Sequence, residues 1–193
     1  MSNKNIILLI IGESGSGKTS AAQYLENTFG CKSIVSYTNR EKRDGETNGV
    51  EHYFVSDNEI PTHISTNKYI CAWTVFGGKY YWTWWNQFFG DDLKLNIKSK
   101  HGCTNMCTYV VDESGMSNMI SKLQRLENNN EIKIYTLRIK RKNRKNISDE
   151  RIARDSGNFN MSMSEFNFVI QNDDDDFDNV KRQLRYIFKR IYM

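Results

Sequence analysis

Long apolar runs are missing from this chain: no segment approaches the ~20 residues that a membrane span requires, so a membrane partner is not expected. Proline occurs once, at Pro61, and the many Asn and Lys residues give the loops a polar rather than a stiffened character. Cysteine is scarce. Of Cys31, Cys71, Cys103 and Cys107 only the last two are close, and one Cys-x-x-x-Cys pair without a second pair downstream falls short of a zinc site. Free thiols in a reducing compartment are the expectation. No internal repeat is present, and the acidic run Asp173 to Asp176 lacks the spacing of an EF-hand calcium loop. Neither charge dominates: 27 Lys and Arg against 23 Asp and Glu leave a net charge of +4, which suits an anionic ligand without demanding nucleic acid. With 193 residues, 38% of them hydrophobic, one α/β domain with inserted subdomains is expected, not two large independent ones.

What is present starts with Gly12-Glu13-Ser14-Gly15-Ser16-Gly17-Lys18-Thr19, which fits G-x-x-x-x-G-K-[ST] at every fixed position. Backbone N–H groups freed by the glycines wrap phosphate oxygens, and the following helix turns its positive end to the same anion. Lys18 then reaches the terminal phosphates and Thr19 ligates magnesium. The context agrees: Ile6 to Ile11 is an apolar, β-branched run of strand length, and Thr19 to Asn27 reads as a helix start. A Gly/Ser linker, the competing reading, has no reason to place Lys-Thr after the last glycine. Met1 to Asn5 lead straight into the first strand, which leaves no room for a cleavable signal and makes a cytoplasmic location the expectation.

Ser33 to Ser36 reads as a short strand beside the first. Arg40 and Arg43 follow in a polar loop at the C-terminal edge of the sheet, where two arginines can grip a second anion or merely face solvent. Resemblance favours the grip. Ser36-x-x-x-Arg40-x-x-Arg43-x-Gly45-Glu46-x-x-Gly49, closing with Phe54-Val55-Ser56, resembles the monophosphate-binding signature of the guanylate kinase family. Gly78-Lys79-Tyr80-Tyr81-Trp82-Thr83 is similar to the family's G-x-Y-Y-G-[ST], and Val110 to Gly115 to its strand ending in D-x-x-G. Phe168 to Asp173 is similar to its V-I-x-N-D. The blocks keep the family's order across nearly the whole chain.

That resemblance implies a division of labour. Arg40, Arg43 and Tyr81 hold the monophosphate's phosphoryl group, while Ser36 and Thr83 contact base or phosphate. Asp112, at the end of the strand Cys107 to Val111, orients water on magnesium or defines the acceptor side. The departures are as specific. His52 followed by Tyr53 stands where the family has its phosphate-contacting tyrosine, so that contact is shifted to Tyr53 or lost. Ala72 takes the place of the guanine-reading glutamate, and alanine accepts no hydrogen bond from the base. Trp82 replaces a glycine, with Trp84 and Trp85 close behind, which predicts a pocket refilled with aromatic surface or, for Trp73 and Trp85, plain core. Thr83 is placed to cap a helix to Asp91. Val110 replaces the acidic residue two positions before Asp112.

Met119, Ile120, Leu123 and Leu126 give a helix over Ser117 to Glu127 a packing face. Ile132 to Leu137 alternates enough for a strand near an edge. The basic run Arg138 to Lys145 lacks interleaved aromatics, so nucleic acid is not expected as a partner. By resemblance it starts a kinase lid, whose arginines Arg141, Arg144, Arg151 and Arg154 neutralise the transferring phosphoryl group. By resemblance too, Asn172 lies near the donor adenine. Asp173 to Asp176 charge the start of a last helix whose apolar face is Phe177, Val180, Leu184, Ile187 and Ile191.

The expected fold is a three-layer P-loop kinase: a five-stranded parallel sheet with helices on both faces. The core comprises 1–36, 92–138 and 155–193, the monophosphate-binding subdomain 37–91 and the lid 139–154. The resemblance implies phosphoryl transfer from ATP, with Mg2+, to GMP or dGMP. Because of Ala72, another monophosphate, thymidylate-like or modified, is the rival acceptor. A non-catalytic guanylate-kinase-like binding domain is a third reading, which the complete phosphate loop opposes. The oligomeric state is not readable from the residues.

Overall fold

The computed structural model describes residues 5–90, 105–129, 131–142, 147–173 and 177–192. Its centre is β1 (Asn5–Ile11), whose unbroken apolar run suits a strand covered on both faces. Alternation divides that run: Ile7, Leu9 and Ile11 point into one apolar cluster, Ile6, Leu8 and Ile10 into the other. The chain continues through α1 (Lys18–Phe29), β2 (Lys32–Ile34), β3 (Tyr37–Thr38), β4 (Tyr53–Phe54), β5 (Ile70–Phe76) and β6 (Lys79–Trp84). It then forms α2 (Trp85–Phe88), β7 (Met106–Val110), α3 (Glu113–Asn128) and β8 (Ile132–Lys140). Last come α4 (Asp149–Ser156), β9 (Phe168–Gln171) and α5 (Asp178–Tyr192).

The larger sheet has the order β2-β7-β1-β8-β9 and every pairing in it is parallel. Helices α1 and α5 cover one face through Ala21, Ala22, Leu25, Val180, Leu184 and Ile187, with Phe29 stacked on Phe188 at 4.0 Å. Helix α3 covers the other through Met116, Met119 and Leu123. This is the three-layer α/β arrangement expected. Burying each Leu or Ile in it contributes about 1.5–3 kcal/mol.

Three strand expectations are corrected. β2 pairs with β7 instead of β1, because β7 enters between them. β8 lies inside the sheet between β1 and β9 and runs nine residues, so Ile139 and Lys140, placed at the start of the lid, are strand. Thr83 caps no helix: β6 carries on through Trp84, and α2 is a single turn.

The second sheet has the order β4-β3-β6-β5, antiparallel at β3/β6 and β6/β5 and parallel at β3/β4. Its alternation decides what reaches the ligand side. Trp82 is buried with Ile64 and Ile70 and stacks on Tyr37 at 5.8 Å, while its neighbours Tyr81 and Thr83 point the opposite way. The expectation that Trp82 refills the pocket is therefore overturned: it is the nucleus of the small sheet's own core.

Candidate active site

The phosphate loop is held before any ligand arrives. A Cβ at Gly12 would run into the Ile139 carbonyl and the Ser16 hydroxyl, so only glycine lets the loop lie on β8. Gly17 caps α1 at φ 100°, the left-handed region that favours glycine. Asn172 Nδ2 donates to the Ser16 carbonyl at 2.8 Å and pins the loop's far side. Lys18 Nζ donates to the Glu13 carbonyl at 2.9 Å. Burial pushes its ammonium down to about 8, against the attraction of Asp155 and Glu13.

A second cationic centre sits on the loop after β3. Arg40 meets Glu46 through two bonds of 2.9 Å, and Glu46 also accepts from the Arg43 backbone N–H at 2.8 Å. Burial acts against the Glu46 charge, but these bonds outweigh it and hold the carboxyl below its ordinary range. Arg43 lies 3.7 Å from the same carboxylate. Beside them His52 Nδ1 is 2.8 Å from Ser36 Oγ, and its ring lies edge-on to Tyr81 at 5.4 Å. Burial, reinforced by Arg40, pushes His52 down to about 4, so the ring is neutral near pH 7.

Both centres open into one cleft of about 940 Å³. Lys18 and Thr19 line it, and so do Ser36, Arg40, Arg43 and Tyr81. Asp112 enters from the N-cap of α3, where Oδ1 accepts from the Gly115 N–H at 2.7 Å and Oδ2 from the Thr74 hydroxyl at 3.1 Å. Burial raises its carboxyl above the usual range in spite of those two bonds. Arg141, Arg151 and Asp155 complete the wall.

A phosphate-loop motif and a pair of arginines thus open into one cleft. The family model described as guanylate kinase matches residues 3–87. The guanylate kinase of Symbiobacterium thermophilum is 37% identical over 81 residues, 42% of this chain and 38% of that protein. That of Neisseria gonorrhoeae is 38% identical over 78 residues, 40% and 38% respectively. That of Bacillus subtilis is 32% identical over 85 residues. The match thus spans about 38% of the length of the first two curated relatives. In fold the likeness extends over the whole chain: the guanylate kinase of Anaplasma phagocytophilum superposes with a TM-score of 0.67, covering 100% of this chain and 89% of that one at 22% identity.

Against the guanylate kinase pattern, the residues expected from sequence divide clearly. Ser14, Gly15, Gly17, Lys18, Thr19, Ser36, Arg40, Arg43, Tyr53, Tyr81, Asp112, Arg141 and Arg151 line the cleft. Tyr53 does so while stacking on Tyr37 at 4.7 Å, and His52 takes the position against Tyr81 and Ser36. Glu13, Ser16 and Asn172 stand behind the loop: Glu13 pairs with Arg138, and Asn172 holds Ser16. Ala72 and Thr83 are cross-strand partners, both buried and neither lining the cleft. Arg144 and the side chain of Arg154 lie outside the described residues. Among the other residues lining the cleft are His52, named from sequence only as a departure from the family's tyrosine, and Thr74 and Asp155, which sequence reasoning passed over. Thr74 had a signal, lying two residues from Ala72 and so on the same face of β5. Asp155 had none.

Proposed function

We propose that this chain transfers the γ-phosphoryl group of ATP to a nucleoside monophosphate. The observation that carries the reading is the meeting of the Lys18 loop and the Arg40–Arg43 pair in one cleft. The acceptor phosphate is already ionised at neutral pH, so no strong general base is needed. Rate comes from alignment and from cations fixed before the substrates arrive. In this reading Ser14 to Thr19 grip the donor phosphates, with Asn172 and Glu13 supporting the loop. Arg40, Arg43 and Tyr81 hold the acceptor phosphate, Arg141 and Arg151 face the transferring group, and Ser36, His52 and Asp112 line the acceptor end. Magnesium is a hard cation that takes oxygen ligands, and the exposed Thr19 hydroxyl in the cleft suits it, with Asp112 as the nearby carboxylate. Bound there with ATP, it would neutralise charge on the phosphates.

GMP or dGMP is the proposed acceptor, supported by relatives named guanylate kinase. A different monophosphate is the second reading, favoured by Ala72, which offers the base no acceptor and is not among the residues lining the cleft. A coupled assay with ATP, magnesium and each common ribo- and deoxyribonucleoside monophosphate tests both. Turnover of guanine nucleotides alone supports the first, turnover of another base the second. No turnover with any of them, together with no ATP binding by calorimetry, overturns phosphotransfer and leaves a binding domain.

A further inference from the structure

The phosphate loop already holds an anion of the chain's own. Ser14 donates its backbone N–H to Asp155 Oδ2 at 2.8 Å and its hydroxyl to Asp155 Oδ1 at 3.1 Å, across 141 residues of sequence. Asp155 is only 2% exposed, although a buried carboxylate is costly unless donors and cations compensate it. The loop supplies both, through Ser14 and the nearby Lys18 ammonium. Carboxylate and phosphate present the same chemistry to such a loop, acceptor oxygens carrying negative charge.

The carrier of this carboxylate is suited to leaving. Helix α4 has eight residues, too few for stability by itself, and among the described elements no strand or helix packs extensively on it. Its apolar Ile152 is 39% exposed. Arg151, one turn before Asp155 and on the same face, lines the same cleft. Helix α4 therefore brings the loop a carboxylate and the cleft a guanidinium side by side.

We propose that Asp155 occupies a phosphate subsite of the loop when no nucleotide is bound, so that ATP must displace helix α4 to be gripped. The inference rests on the nucleotide reading of the loop but not on transfer to an acceptor. Apparent affinity for ATP is lowered by the fraction of molecules whose loop is free, and removing the carboxylate abolishes that loss.

The test is calorimetric titration of ATP, and separately of inorganic tripolyphosphate, into the wild-type protein, Asp155→Asn and Asp155→Ala, without acceptor. Both probes should bind roughly tenfold tighter to Asp155→Ala, with Asp155→Asn between, since the amide keeps the acceptor but loses the charge. Hydrogen exchange on the wild-type protein should show the Ser14 amide protected without ATP, which reads the contact even if a variant folds poorly. Equal or weaker binding by the variants, or a Ser14 amide that exchanges freely in the wild-type protein, overturns the proposal. Tighter binding without turnover on any monophosphate would sink the kinase reading and leave this one standing. Turnover with unchanged ATP affinity does the reverse.

Discussion

Arg138 Nη2 donates to Glu13 Oε1 at 2.6 Å from a side chain sealed inside the molecule, joining the centre of β8 to the phosphate loop. Its other terminal nitrogen donates to Glu113 Oε1 at 3.1 Å, and Glu113 Oε2 accepts the backbone N–H groups of Asn160 and Met161. The guanidinium also lies over the Phe159 ring at 4.6 Å. One buried cation thus fastens the loop, the start of α3 and the chain after α4. Arg138→Met should cost about 3–5 kcal/mol in urea unfolding, because the buried Glu113 and the partly buried Glu13 both lose their cation. Arg138→Lys should recover only part, since one ammonium does not reproduce the fork of two donors.

Lys18→Met should leave the fold intact, since the wild-type ammonium is held at the expense of its own solvation. Thermal melting is expected to stay level or rise slightly. Turnover in the coupled assay should fall at least about a hundredfold, the loss typical when a charge-stabilising group is removed from a transition state.

The depressed Lys18 gives a signed pH dependence. Between about 8 and 10.5 the unfolded chain holds a proton that the folded chain has released, so this group's contribution to stability rises with pH across that window. Nucleotide binding responds in the opposite sense, because phosphate favours the ammonium. Above pH 8, ATP affinity should fall by up to about tenfold per pH unit, with proton uptake on binding. Calorimetry in two buffers of different ionisation enthalpy measures that uptake, and Lys18→Met should abolish it.

His52 titrates in the opposite half of the range. Its pKa falls from 6.5 in the unfolded chain to about 4 in the fold, so stability is lost as pH drops through that interval. The loss reaches about 3 kcal/mol by pH 4. His52→Gln should flatten this part of the acid unfolding curve, and NMR of the wild-type ring should show it neutral at pH 6.

Trp82→Ala should cost about 3–5 kcal/mol by opening a cavity against Ile64, Ile70 and Tyr37. Affinity for the acceptor monophosphate should stay within about twofold, because the ring does not reach the cleft. A large loss of affinity at unchanged stability would return Trp82 to the pocket.

The legible parts of this molecule were the local ones. Gly12 to Thr19 could be read because the loop's chemistry is confined to eight consecutive residues, and α5 because its face repeats every turn. Arg40 and Arg43 were readable as a pair, but their bond to Glu46 was not, since it closes only when the loop folds back. Trp82 was misread by motif position, although strand parity put Tyr81 and Thr83 on the opposite face. β2 has three residues, too few for any pattern to reveal its neighbour. Asp155 was beyond reach, because its partner Ser14 comes from the opposite end of the chain.

The small sheet keeps its own apolar nucleus, Ile64, Ile70 and Trp82, on the side of β5 and β6 turned from the cleft. Reshaping the ligand face of those two strands therefore leaves that nucleus untouched. On the proposed reading, a lineage can exchange one nucleobase for another by editing a single hairpin, while its hold on the energy-rich donor passes down unaltered.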